Sequence, residues 1–151
     1  MIKQAEFEQI IADESKRIDG YIVWREDEDH SPALEFRADV ESDEGYPLVL
    51  KGSYNPFAGA LSYTLIHRDV GRVYALDMGK DHRNPSGELV GEKHKHRWNE
   101  PHRDRLAYVP TDITASLEQP AEVWSQFCAE AKIRHQGAMH DPPSIQKDPF
   151  V

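Results

Sequence analysis

A chain of 151 residues, 38% hydrophobic and 30% charged, is one domain by length and has enough apolar matter for a core. Its net charge of −9 argues against unspecific binding to duplex DNA, which rests on phosphate neutralisation, and no apolar run approaches the ~20 residues of a membrane span. A single cysteine, Cys128, excludes an internal disulfide and a CxxC metal knuckle. The start, MIKQAEFEQII, lacks the basic and apolar segments of a secretory signal, so a cytoplasmic protein is expected.

Residues 2–18 place Phe7, Ile11, Glu14 and Ile18 along one stripe of a predicted helix, with Ile10 joining its apolar side and Gly20 as its stop. Residues 21–25, YIVWR, are β-prone and predict a short strand. Residues 34–42 alternate, with Leu34, Phe36, Ala38 and Val40 on one face and Glu35, Arg37, Asp39 and Glu41 on the other. That is the pattern of a half-buried strand. Strands follow over 47–54, weakened by Gly52, and over 60–69 and 72–79; the last two form a hairpin through Val70-Gly71. Val73, Ala75 and Asp77 share a face of the second hairpin strand. Residues 79–88 form a loop dense in Gly, Pro and Asn. Residues 92–98 alternate again, with His94, His96 and Trp98 one way and Lys93, Lys95 and Arg97 the other. A short strand over 106–110 and a helix over 120–134 complete the elements. Pro120 suits the first turn of that helix, and Val123, Phe127 and Ala131 form its stripe with Trp124 and Cys128 beside them. Residues 135–151, with three prolines and little apolar pattern, predict an irregular or disordered tail.

This order predicts an α+β domain over 1–134. Its sheet should be curved, mainly antiparallel and barrel-like, with about six or seven strands and a helix at each end.

The stretch from Asp77 to Tyr108 holds four of the eight histidines, His82, His94, His96 and His102. It carries 6 acidic and 7 basic groups, whereas residues 1–50 carry 14 and 5. A local anion site in an acidic chain is therefore expected here. Histidines at i and i+2 of a strand project to one side, about 6.5–7 Å apart. Such a pair can ligate a first-row metal or act as general acid and base. If the strand ending near Asp77 pairs with the histidine strand, Asp77 orients an imidazole, and His82 folds back from the loop. The candidate catalytic set is thus Asp77, His82, His94 and His96. The candidate ligand-binding set is Arg83, Asn84, Arg97 and Trp98, with the arginines as anion holders, although strand parity puts Arg97 opposite the histidine pair. Tyr63, Tyr74, Trp98 and Tyr108 offer a stacking platform for a base; the competing expectation is that they fill the core. Cys128 reads as a buried, inert thiol. No P-loop, Rossmann fingerprint, GxSxG or HExxH is present.

The run LDMGKDHRNPSGELVGEKHKHRW resembles a pattern in small bacterial and prophage proteins of a domain-of-unknown-function family. The pattern falls on His82, Asn84, Pro85, Gly87, Gly91, His94, His96 and Trp98, preceded by Tyr74 and Asp77 of YxLD. The resemblance spans about residues 52–110 and implies a bacterial or phage protein met near mobile elements, without assigning an activity. His94, His96 and Glu100 are also similar to the first cupin motif, HxHxxxE, whose residues ligate iron, manganese or zinc; no second cupin motif follows.

Three functional expectations result. The first is a site without resident cofactor for a phosphate-bearing ligand, a nucleotide or RNA, through His82, His94, His96 and Arg83. The second is a cupin-like protein holding a divalent metal such as zinc or iron through His94, His96 and Glu100. The third is a non-catalytic immunity- or antitoxin-like module whose acidic first fifty residues take a basic protein partner. The sequence alone does not decide whether the chain is an enzyme.

Overall fold

A computed structural model describes residues 2–143. Helix α1 (Gln4–Ala12) buries Phe7, Ile10 and Ile11 but ends well before the predicted Ile18. The cause is Lys16, which is wholly buried. Its ammonium turns back onto the carbonyls of Ile10, Ile11 and Asp13, at 3.0 Å and 2.8 Å for the last two. Those are end carbonyls that a continuing helix would have satisfied itself. Ile18 instead enters β1 (Arg17–Asp19).

Seven strands then form one sheet in chain order. They are β2 (Arg25–Glu26), β3 (Leu34–Val40), β4 (Leu48–Asn55), β5 (Ala60–His67), β6 (Gly71–Met78), β7 (Lys93–Arg97) and β8 (Ala107–Tyr108). Every neighbour pair is antiparallel, as short turns require. The sheet is curved but not closed into a barrel; β2 and β8 are its edges. The predicted strand over 21–25 is reduced to a bridge from Ile22 to Met139 followed by β2. Gly52 is a packing requirement, since a Cβ there would lie 2.1 Å from the Phe36 ring.

Helix α2 (Pro120–Ala131) covers one face of the sheet. Tyr63 lies 5.8 Å from Phe127 and 5.1 Å from Trp124 between ring centres, and its hydroxyl donates to Pro120 O at 2.6 Å. Tyr63, Tyr74 and Trp98 all belong to the core, so they offer no exposed stacking platform. Cys128 is buried, and burial pushes its thiol up to about 12. Lys132, in left-handed geometry at φ 55°, ends α2 before the predicted residue 134. The chain continues into β9 (Arg134–Gln136), which pairs in parallel with β1. The expected tail is therefore ordered where it begins; its last part, 144–151, lies outside the described residues.

The face away from α2 is polar, and the register arranges it in two rows. One row runs Glu35, Ser53, Ser62, Asp77, His94; the other runs Arg37, Lys51, Thr64, Ala75, His96.

Candidate functional site

Pairing of β6 with β7 sets Asp77 opposite His94 and Ala75 opposite His96. The Nε2 atoms of His94 and His96 each lie 3.3 Å from Asp77 Oδ2. The His94 and His96 side chains are only 2% and 3% exposed, because two loops fold over this part of the polar face. The first, between β6 and β7, leaves the strand at Gly79, whose φ of +91° favours glycine and where a Cβ would meet Gly59 O at 1.8 Å. It carries His82, whose ring centre lies 4.6 Å from that of His96 and 5.5 Å from that of His94. The second loop, between β7 and β8, brings Asp104 and Arg105.

Each imidazole is held by one nitrogen on a backbone carbonyl. His94 Nδ1 meets Gly91 O at 2.9 Å, His96 Nδ1 meets Asp104 O at 2.8 Å, and His82 Nε2 meets Arg105 O at 2.7 Å. A carbonyl only accepts, so those nitrogens carry the protons. In the neutral rings the remaining nitrogens, Nε2 of His94, Nε2 of His96 and Nδ1 of His82, are bare acceptors. One nitrogen from each ring lies within 4.8 Å of the others. Bare lone pairs facing a carboxylate oxygen repel, so the arrangement calls for a bridging cation, a proton or a metal.

Arg72 braces the cluster. It approaches Asp77 Oδ2 at 3.7 Å, binds Asp104 Oδ2 through Nε at 3.0 Å and donates to Asp104 O at 3.2 Å. Burial by itself would raise the Asp77 carboxyl. The contact and charge of His96, with the charges of His94 and Arg72, outweigh burial and hold it below its ordinary range. Burial lowers the His94 imidazole; Gly91 O and Asp77 oppose this, while His96 and His82 add to it.

The other candidate residues lie apart from the cluster. Arg83 donates to Gly87 O at 2.6 Å, inside its own loop. Asn84 is buried and clamps Ala107, donating to its carbonyl at 2.9 Å and accepting from its N–H at 2.8 Å. Arg97 pairs with Glu8 of α1 at 2.9 Å over the Phe7 ring. Trp98 packs its ring 5.8 Å from that of Phe7. The Glu100 carboxylate accepts the backbone N–H of Gln4 at the start of α1. The sheet thus brings Asp77 and the loop brings His82 to the histidine pair, and Glu100 stays with the helix. His102, whose N–H donates to Asn99 Oδ1, belongs to a turn.

A family model matches residues 2–133. The chain belongs to DUF6978, a family of unknown function. No curated protein and no solved structure matches it. Among the described residues of this DUF6978 member no helix is long and apolar enough to cross a membrane.

Two features of this DUF6978 chain escape sequence reasoning. Arg72 reaches the polar face because a bulge shifts the β5–β6 register between Leu65 and Ile66, so that Ile66 faces Arg72 while Leu65 faces Tyr74. Strict alternation places Arg72 on the core side with Tyr74; one extra residue reverses that. The second is Lys95, wholly buried on the α2 side between the two histidines in sequence. Its Nζ binds Asp112 at 2.6 Å and Glu130 at 2.9 Å. Tyr74 and Tyr108 both donate to Glu130. An alternating pattern shows that His94 and Lys95 face opposite ways, not that both faces are covered.

Proposed function

We propose that the protein binds a zinc-class divalent cation through His82, His94, His96 and Asp77, and presents it to a ligand on the polar face of the sheet. The observation that carries this reading is the pair of 3.3 Å separations from Asp77 Oδ2 to the two Nε2 atoms. With metal–ligand bonds of about 2.0–2.1 Å, neighbouring ligands of a tetrahedral zinc stand about 3.3–3.4 Å apart. Asp77 Oδ2 already stands at that spacing from Nε2 of His94 and from Nε2 of His96. The three imidazoles offer one nitrogen each within 4.8 Å of one another, and rotation of His82 on its loop supplies the fourth ligand. The carbonyls on the far nitrogens are the outer partners that fix ligand imidazoles in metal sites. Three imidazoles and a carboxylate suit zinc, iron(II) and similar ions better than calcium or magnesium.

With the four protein groups filling a tetrahedral shell, a cation held here would polarise an oxygen of a bound ligand by taking it as a fifth donor. The ligand class that fits is anionic, because the cation and Arg72 add positive charge to this corner of an acidic chain. This reading uses the histidines expected for a phosphate-bearing ligand but not Arg83, and the histidines of a cupin-like site but not Glu100.

The test is thermal unfolding of tag-free protein with and without zinc. A ligand at 100 times its Kd stabilises the native state by about 2.7 kcal/mol, which for a chain of this size raises Tm by about 5–11 °C. The expected result is that shift in the wild type and its loss in His96→Ala and Asp77→Asn. No shift in the wild type, or an equal shift in both variants, overturns the reading.

A further inference from the structure

Resting on that reading, we infer that the cavity over β4, β5 and the end of β6 is the ligand pocket of the centre, and that it takes a small phosphate-bearing molecule of about nucleotide size. The cavity measures about 370 Å³ and shares Asp77 as a wall with the histidine cluster. Its volume falls in the range of small-molecule sites, about 300–1,000 Å³. Its floor follows from the register, since Ser53, Ser62 and Asp77 are consecutive in the row that ends at His94. Lys51 lies in the adjoining row, two strands from Ala75. Lys80, just past Gly79, and the turn carrying Asp27 and His30 complete the rim.

The charges around this cavity are unevenly engaged. Asp27 accepts from Asp29 N–H and faces the His30 ring, at 3.2 Å and 3.1 Å. Asp77 faces Arg72, His94 and His96. Among the described residues, Lys51, Lys80, Ser53 and Ser62 engage no protein partner through their side chains. Two lysine ammonium groups and two hydroxyl donors therefore line a cavity whose carboxylates are already occupied. That donor set recognises phosphoryl oxygens, with lysine as a point charge and serine as a directional donor. An anion here sits beside the oxygen-polarising corner of the proposed centre, one cross-strand step from His94.

The experiment is calorimetric titration of inorganic phosphate and of adenosine monophosphate into zinc-loaded and metal-free protein. It compares the wild type, Lys51→Ala, Lys80→Ala, the double variant and Ser53→Ala/Ser62→Ala. Both lysines are exposed, so these variants should fold, and an unchanged melting curve checks that they do. The pocket predicts binding by the zinc-loaded wild type. It predicts about ten-fold weaker binding for each lysine variant and unchanged zinc affinity in all of them. Undiminished binding by the double variant overturns the inference, as does zinc-loaded wild type that binds neither anion. If zinc fails to bind while lysine-dependent anion binding persists, the pocket stands and the metal reading falls. If zinc binds and the anions do not, the pocket alone is lost.

Discussion

Replacing Lys95 by methionine removes a cation from the middle of β7 while keeping a long apolar stem. The Lys95 side chain is 0% exposed, and its Nζ sits 2.6 Å from Asp112 and 2.9 Å from Glu130, 5.5 Å from the centre of the Tyr74 ring. Removing one partner of a buried ion pair costs about 3–5 kcal/mol when the other charge is stranded. Here the carboxylates keep 34% and 35% exposure, and Glu130 retains the tyrosine hydroxyls, so water screens part of the loss. The expected destabilisation is about 2–3 kcal/mol, a fall in Tm of about 4–12 °C. Urea unfolding followed by circular dichroism measures it, with an unchanged m-value as the sign that only the native state was altered. Because the Lys95 side chain points away from the histidines, zinc affinity should change less than three-fold. A stability loss under about 0.5 kcal/mol, or a gain, refutes the reasoning that this lysine neutralises the two carboxylates.

Glu130 gives a pH signature. Burial would raise its carboxyl, but hydrogen bonds from Tyr74 and Lys95 outweigh burial and hold it down at about 2. Its contribution to stability is therefore present above the ordinary carboxylate value and lost as pH falls from there towards about 2. Glu130→Gln should flatten the fall in unfolding free energy between pH 4.5 and pH 2.5; a slope equal to that of the wild type contradicts this origin. Asn84→Ala leaves the Ala107 N–H and carbonyl without their side-chain partners, at about 1–3 kcal/mol for the orphaned groups. It also unties the loop that carries His82. Zinc affinity should drop about ten-fold although Asn84 is no ligand, and unchanged affinity would show that the clamp does not position His82.

Several links ran directly from sequence to structure. Alternation over 34–40 and 93–97 gave true strands because each has a core face, and side chains on a strand change face with every residue. The expected pairing of β6 with β7 puts Asp77 beside His94, and the glycine at 79 returns His82 over the pair. The failures share a cause, which is that long-range partners are invisible to local pattern. Helical periodicity continues through Ile18, but Lys16 closes α1 from the side. Arg97 looked available to an anion until Glu8 of α1 claimed it, and Glu100 had metal-ligand spacing until the Gln4 N–H claimed it. The bulge that delivers Arg72 to Asp77 needs two strands to exist. Lys51 and Lys80 are distant in sequence from His94, and only the register of four antiparallel strands gathers them beside it.

Anomalous diffraction at the zinc absorption edge, on crystals of tag-free protein grown with zinc, decides whether the histidine cluster holds a metal. The expected result is one strong peak about 2.0–2.1 Å from Nε2 of His94, Nε2 of His96 and Nδ1 of His82, with Asp77 Oδ2 completing the shell. A peak elsewhere on the surface, or no peak while the two Nε2 atoms still face the Asp77 carboxylate, would contradict it: the bridging cation would then be a proton.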